Sequence, residues 1–175
     1  MKKLIYLDNN ATTPVRPEVV EVMDFCHTEC FGNPSTVYSF GRNAKRVMDE
    51  SREKIARMID ASKDEIVFTS GGTEADNLAI FGIAKANRDK GKHIITSKIE
   101  HHAIINSCKA LEKDGSEITY LDVDKYGIVN LEQLERSIKR ETILISIMHA
   151  NNEIGTIEPI AEIGRIARKH KIYFH

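Results

Sequence analysis

The segment Thr69–Glu74 consists of Thr-Ser-Gly-Gly-Thr-Glu and joins the apolar run Ile66–Phe68 to a predicted helix. A glycine turn at such a junction leaves the first backbone N–H groups of the helix free to bind an anion, and the helix dipole adds about 0.3–1 kcal/mol for a negative group. Thr73 adds a hydroxyl donor, and Glu74 is expected to cap the helix by accepting from one of its first N–H groups. The segment therefore predicts a phosphate site.

The spacing of the two glycines excludes two common nucleotide motifs. A Walker A loop continues with Gly-Lys-Ser/Thr, and no lysine follows Gly71 and Gly72. A dinucleotide fingerprint needs G-x-G-x-x-G, whereas these glycines are adjacent and lack a third. A single phosphate suits the turn better than a pyrophosphate, and a glycine turn of purely structural purpose stays open as the alternative.

Two further polar clusters follow predicted strands. The segment Ser97–His102 comes directly after the run His93–Thr96, and His149–Gly155 comes directly after Thr142–Met148. The carboxyl ends of parallel strands meet at one edge of a sheet, where ligands bind, so both clusters and the glycine turn are expected at the same edge. Together they favour a phosphorylated cofactor.

Each cluster also has a structural interpretation. His101 and His102 could be solvent-exposed residues at a helix start, and Asn151 and Asn152 could serve turn chemistry alone. Adjacent helical residues point in different directions, which disfavours a metal chelate made by the two histidines.

The three cysteines predict neither a disulfide framework nor a convincing metal site. Cys26 and Cys30 share a helix face beside His27, but a structural zinc ion takes four ligands and no second pair lies nearby in sequence. An exposed or half-buried helix face is the favoured interpretation. Cys108 lies on an apolar helix stripe and is expected in the core.

A parallel sheet is predicted to position these clusters. Its strand candidates begin 24 to 30 residues apart, which leaves room for a crossover helix between neighbours and predicts consecutive βαβ units. The candidates are Glu65–Thr69, His93–Thr96, Glu117–Leu121, Thr142–Met148 and Ile172–His175.

Helices are predicted wherever apolar residues recur at helical spacing. Residues 1–15 are expected to form an extended arm with a strand candidate at Leu4–Leu7. The first two predicted helices are Pro17 to about Glu29 and Gly41 to Ile59, the second with the apolar stripe Ala44, Val47, Met48, Ser51, Ile55, Met58 and Ile59. A third begins after Gly72. Three more carry the spaced sets Ile104–Cys108–Leu111, Leu131–Leu134–Ile138 and Ile160–Ile163–Ala167.

The composition excludes several classes of protein. The 175 residues are 41% hydrophobic, enough for a core, and the formal net charge of −1 is no footprint for nucleic acid or an anionic membrane. The apolar runs are far shorter than the roughly 20 residues of a membrane-spanning helix. The apolar stretch before Asp8 is also shorter than the about 7–15 residues of a secretory signal. A cytoplasmic protein is expected.

Five motifs resemble the NifS/IscS-type cysteine desulfurases and occur in the order typical of that family. They are Tyr6–Pro14, Phe31–Ser35, Phe68–Asn77, Glu100-His101 and Met148–Gly155. The resemblance extends along the whole chain. It implies a pyridoxal 5′-phosphate enzyme of fold type I, with a three-layer α/β/α large domain, a mostly parallel sheet and a homodimer. The activity implied is removal of sulfur from L-cysteine, which leaves L-alanine and a persulfide for iron–sulfur cluster assembly or another sulfur acceptor protein.

The resemblance also implies roles for single residues. Gly72 and Thr73 would hold the cofactor phosphate, His101 would stack on the pyridine ring and assist proton transfer, and Asn152 would hydrogen-bond the phenolic oxygen of the ring. Residues 1–15 would be the arm that joins a small domain, and residues 16–175 would be part of the large domain.

The sequence departs from the family pattern at the end of the chain. The family's pyridinium aspartate, a glutamine, the Ser-x-His-Lys segment with the covalent lysine, and the persulfide-forming cysteine come after a strand such as Ile172–His175, and none of the three cysteines here matches the last of these. The isolated chain is therefore expected to lack the carboxyl-terminal part and to be inactive without it. The alternatives are a non-enzymatic remnant or binding module, and a related lyase such as a selenocysteine lyase. A carboxyl-terminal edge strand that simply finishes also stays open.

Overall fold

The computed structural model describes residues 4–175. Between Phe68 and Thr69 the chain divides into two compact units, which we call the amino-terminal and carboxyl-terminal units. The predicted arm begins with residues 1–3, which lie outside the described residues. Within residues 4–175, no helix is long and apolar enough to span a membrane.

Two helices make up most of the amino-terminal unit. Helix α1 spans Pro17–Thr28 and begins on a proline, whose fixed φ and missing N–H suit the first helical position. Helix α2 spans Ser39–Met58 and is followed by a single 3₁₀ turn at Lys63–Glu65. Both helices confirm the predicted ones to within two residues.

The amino-terminal unit differs from the predictions in two places. The strand candidate Leu4–Leu7 has no regular secondary structure and is exposed. In α2 the buried side chain is Ala56, which is not part of the predicted stripe, whereas Met58 is 84% exposed and Ile59 65%. An apolar stripe identifies the face that a helix can bury, but only a packing partner buries it.

The carboxyl-terminal unit contains a four-stranded sheet in which every neighbouring pair is parallel, in the order β2-β1-β3-β4. Its strands are β1 His93–Ser97, β2 Glu117–Leu121, β3 Thr142–Ser146 and β4 Tyr173–Phe174. Its helices are α3 Gly72–Ala86, α4 His102–Lys113, α5 Leu131–Ser137 and α6 Ile160–His170. The predicted alternation of strands and helices is confirmed here.

Two hydrophobic clusters cover the two faces of this sheet. Successive strand residues point to opposite faces, so β1 gives Ile94 to one cluster and Ile95 to the other, and β3 likewise gives Leu144 and Ile145. Helices α3 and α4 complete the first cluster, and α5 and α6 complete the second. The result is the three-layer α/β/α arrangement expected for a buried parallel sheet.

The strand predicted at Glu65–Thr69 is wrong. Glu65 ends the 3₁₀ turn, and the following residues are irregular, with Val67 67% exposed and Phe68 45% exposed. β-branched and aromatic residues favour strands, but a strand forms only where a neighbour pairs with its backbone. Residues 66–69 lie outside the four paired strands.

Candidate functional site

A cleft of about 350 Å³ opens at the carboxyl edge of the sheet. Strands β1 and β3 end at Ser97 and Ser146, and β4 continues into His175, whose N–H donates to the carbonyl oxygen of Ile145 at 2.9 Å. The cleft is lined by Asp76, Glu100, His101, Ile104, Ser146, Ile147, Met148, His149, Ile160, Phe174 and His175. The predicted meeting of strand-end clusters at one edge is therefore confirmed for the β1 and β3 loops.

The glycine turn leads into α3 as expected. Gly71 is the N-cap and has no side chain to cap the helix, and a Cβ placed on Gly71 or Gly72 would meet no atom within 4 Å. No side chain caps the first turn, so its backbone N–H groups are available to an anion. Thr73 follows on the exposed surface.

Glu74 does not cap the first turn of α3, contrary to the sequence prediction. Its carboxylate accepts from both the backbone N–H and the hydroxyl of Ser70, each at 2.6 Å. These hydrogen bonds lower the pKa of Glu74 and keep it ionised. The carboxylate therefore accepts hydrogen bonds from Ser70, the residue before the N-cap, and leaves the N–H groups of the helix itself available.

His101 is the N-cap of α4. Its Nδ1 accepts from the backbone N–H of Ala103 at 3.1 Å, so the neutral imidazole carries its proton on Nε2. The side chain is exposed and lines the 350 Å³ cleft. The structural interpretation of a helix-start histidine is correct for its position, and it leaves Nε2 free for a ligand.

The two neighbouring asparagines have different environments. Asn151 is 9% exposed, and its Oδ1 accepts from the N–H groups of Glu153 and Ile154 at 2.9 and 3.1 Å, which is the predicted turn chemistry. Asn152 is exposed and lines a second cleft of about 290 Å³ together with His101. The structure thus brings two predicted ligand residues, His101 and Asn152, to one cleft.

Glu100 is a buried carboxylate whose burial and contacts the sequence did not indicate. Its Oε1 accepts from the Ser97 hydroxyl at 2.8 Å and from the Met148 N–H at 3.0 Å. Burial raises the pKa of Glu100, and the two hydrogen bonds oppose that rise. Glutamate is mostly exposed in proteins, so its residue type gave no signal of burial.

Three further polar side chains, which the sequence did not reveal as neighbours, connect α3 to the cleft. The Ser146 hydroxyl lies 3.0 Å from Nδ1 of His175, and Nε2 of His175 lies 3.8 Å from Oδ1 of Asp76. Asp76 follows Thr73 by three residues on the helix, so it shares that side of α3. Gly72 and Thr73 lie outside both clefts, but their helix contributes this carboxylate to the larger one.

The cysteines occupy two kinds of environment. Cys108 is fully buried in the core, as predicted, and burial raises its pKa to about 12, which leaves the thiol unreactive near neutral pH. Cys30 is also buried, and the Asn43 amide lies 3.7 Å from its sulfur, whereas Cys26 is partly exposed. Among residues 4–175, no three His, Cys, Asp or Glu side chains are grouped to hold a metal ion.

Comparison with known proteins identifies relatives along almost the whole chain. The model of the family described as aminotransferase class-V matches residues 5–175. The chain is 60% identical over 173 residues to a cysteine desulfurase IscS of Methanosarcina thermophila, which covers 99% of this chain and 43% of the relative. It is 58% identical over 175 residues to a cysteine desulfurase IscS of Dictyoglomus turgidum, covering 100% of this chain and 44% of that relative.

Solved structures agree with these relatives. A NifS-like protein superposes with a TM-score of 0.94 at 39% identity, covering 98% of this chain and 48% of the other. SspA in complex with cysteine superposes with a TM-score of 0.93 at 41% identity, covering 97% and 49%. The predicted fold and the predicted resemblance are confirmed, and the chain spans less than half of the length of these relatives.

Proposed function

Because this chain belongs to the aminotransferase class-V family, we propose that it is the amino-terminal portion of a cysteine desulfurase that uses pyridoxal 5′-phosphate. The observation that carries the proposal is the 60% identity to an IscS desulfurase over 99% of the chain. The cleft at the carboxyl edge of the sheet supports it, because parallel α/β sheets bind their ligands there.

The residues of the site fit the proposed cofactor. The open space beside Gly71 and Gly72 accommodates a phosphate, which the N–H groups of Gly72 and Thr73 and the Thr73 hydroxyl would hold. His101 would stack on the pyridine ring, and Asn152 would donate to its phenolic oxygen. When bound, pyridoxal phosphate supplies the electron sink for chemistry at an amino acid.

The protein's own side chains would orient the cofactor and transfer protons, whereas the cofactor would supply the electron sink. His101 keeps Nδ1 occupied by the Ala103 N–H, so Nε2 is the atom that would hold or pass a proton. The exposed amide of Asn152 would fix the ring by a directional hydrogen bond. Buried Glu100 forms part of the cleft wall.

We infer that the substrate is L-cysteine and that the products are L-alanine and a persulfide on an acceptor thiol. A solved relative at 41% identity was captured in complex with cysteine, which supports this substrate. By family, the complete protein would act as a cytoplasmic homodimer and pass sulfur to an iron–sulfur scaffold or another acceptor protein.

The proposal is tested with the complete gene product, loaded with pyridoxal phosphate and given L-cysteine and a thiol reductant. We expect one L-alanine for each sulfide released. Asn152→Ala should reduce alanine formation, because it removes the predicted contact to the ring. Asn130→Ala is the matched control, since Asn130 caps α5 by accepting from the Gln133 N–H at 2.9 Å and lies outside both clefts.

Three results would contradict the proposal. A complete gene product that binds no pyridoxal phosphate would remove the cofactor assignment. One that binds it without forming alanine would favour a binding module, and one that cleaves only selenocysteine would favour a related lyase.

A further inference from the structure

The loops after β1 and β3 hold each other by reciprocal contacts. The Glu100 carboxylate of the first loop accepts from the Met148 N–H of the second at 3.0 Å. The Asn151 amide of the second loop donates to the Ile99 carbonyl of the first at 3.1 Å. We call this pair of contacts the strand-end clasp.

Each member of the clasp precedes a predicted cofactor ligand in sequence. Glu100 is 8% exposed and Asn151 is 9% exposed, whereas the next residues, His101 and Asn152, are both exposed. In each pair, one side chain is therefore fixed inside the protein and its neighbour faces the cleft. The backbone between the two cannot move without breaking a buried hydrogen bond.

Both clasp residues use their hydrogen-bonding capacity within the loops. Glu100 also accepts from the Ser97 hydroxyl at 2.8 Å, which fixes the carboxylate to the end of β1. Asn151 also accepts from the N–H groups of Glu153 and Ile154, which fixes the amide within its own turn. Each clasp side chain is thus held in a single orientation by contacts on both sides.

We propose that Glu100 and Asn151 are positioning residues that set the placement of His101 and Asn152 for pyridoxal phosphate. The inference rests on the proposed function, because it assigns a purpose to the cofactor site. Ligands work best when their supporting residues lock them in place, and removing such support costs affinity even though no contact to the ligand is lost.

The test measures cofactor binding rather than turnover, in the complete gene product. Apo protein is titrated with pyridoxal phosphate while visible absorbance gives the Kd and visible circular dichroism reports the orientation of the bound ring. We expect Glu100→Ala and Asn151→Ala to raise the Kd by about tenfold or more, the scale seen when outer-shell partners of a ligand are removed. The visible circular dichroism should fall in both variants.

The conservative variant and a matched control separate positioning from stability. Glu100→Gln keeps an oxygen that can accept from the Met148 N–H, so it should restore most of the affinity and the spectrum. Glu158 is also a buried glutamate, and it accepts from the Val129 N–H at 3.1 Å. Glu158→Ala should lower the thermal stability of the apo protein but leave the Kd and visible spectrum unchanged.

The outcomes distinguish this inference from the proposed function. The clasp alone would be overturned if the wild-type protein binds pyridoxal phosphate and the Glu100→Ala variant binds it with the same Kd and spectrum. An equal loss in Glu158→Ala would also overturn it, because general destabilisation would explain both. Wild-type protein that binds no cofactor would overturn both proposals. If Glu100→Ala does not fold, Ser97→Ala removes only one of the two hydrogen bonds to Glu100 and should give a smaller change in the same direction.

Discussion

In the carboxyl-terminal unit every residue of β1 and β3 is buried, whereas all twelve residues of α1 in the amino-terminal unit are at least partly exposed. A parallel sheet covered on both faces creates two cores from few residues, because alternate side chains enter opposite layers. A helix such as α1, which packs on no such sheet, buries much less of its side-chain surface. The candidate site lies at the edge of the unit that has its own cores, which gives its loops a rigid support.

The largest expected effect compares two isoleucines in the 175-residue chain. Ile145→Ala should lower the free energy of unfolding by about 2–5 kcal/mol, because Ile145 is fully buried and its loss leaves a cavity. Ile59→Ala should change it by less than about 0.5 kcal/mol, because Ile59 is largely exposed. Urea unfolding followed by circular dichroism measures both.

An equal cost for the two isoleucine substitutions would contradict the comparison. It would mean that Ile59 is packed in solution as tightly as the central strand residue. The slope of the urea transition should stay constant in both variants, so that the midpoint alone reports stability.

The second prediction concerns a tightly packed glycine in α2. A Cβ on Gly41 would lie 2.5 Å from the carbonyl oxygen of Asn33 and 2.6 Å from that of Thr36. Gly41→Ala should therefore destabilise the chain by about 1–3 kcal/mol, the usual cost of overpacking. Gly82→Ala in α3 should instead stabilise it by about 0.5–1 kcal/mol, because Gly82 has open space around it and alanine favours a helix.

The two glycine substitutions are expected to change stability in opposite directions. Gly41 lies in the unit with exposed helices, and Gly82 lies in the unit with two cores. A harmless Gly41→Ala would indicate that the turn before α2 is loosely packed in solution. Thermal unfolding of both variants gives the sign directly.

The third prediction concerns the pH dependence of stability that comes from His93 in the carboxyl-terminal unit. His93 lies buried between the hydroxyls of Thr142 and Thr119, at 2.7 Å from Nδ1 and 2.9 Å from Nε2. Burial lowers the pKa of His93 below its ordinary value of 6.5, and nearby Lys139 acts in the same direction, against Glu117 and Glu141.

The sign of that dependence follows from proton uptake. The unfolded chain takes up a proton on His93 near pH 6.5, whereas the folded chain does so only at lower pH, so the free energy of unfolding should fall as the pH drops below 6.5. His93→Gln should flatten this part of the profile. His27→Gln on exposed α1 should leave it unchanged, and the opposite pattern would contradict the assignment.

Much of the fold was predictable because sequence periodicity reports which face of an element can be buried. Within residues 4–175, the four strands of the sheet and the six α-helices follow that pattern. The strands at Leu4–Leu7 and Glu65–Thr69 were not found, because strand propensity says nothing about a pairing partner. The exposure of Met58 and of Ile59, the residue after α2, was missed for the same reason, since an amphipathic face does not identify what covers it.

The candidate site was predictable where residue type implies chemistry. The clusters Ser97–His102 and His149–Gly155 could be located from their places after strands, whereas the roles of Gly72, Thr73, His101 and Asn152 were implied by the family resemblance. Glu100 and Asn151 belong to the same motifs, but their contacts between the two loops could not be predicted, because each contact is made to a distant backbone group. Met148 is 48 residues from Glu100, and Ile99 is 52 residues from Asn151, separations at which sequence carries no local signal.

The most direct test of the central claim is a crystal structure of the complete gene product with pyridoxal 5′-phosphate. We expect the phosphate at the N–H groups of Gly72 and Thr73, the pyridine ring against His101, and its phenolic oxygen bonded to Asn152. A cofactor bound away from the carboxyl edge of the sheet, or a phosphate held by other residues, would contradict it.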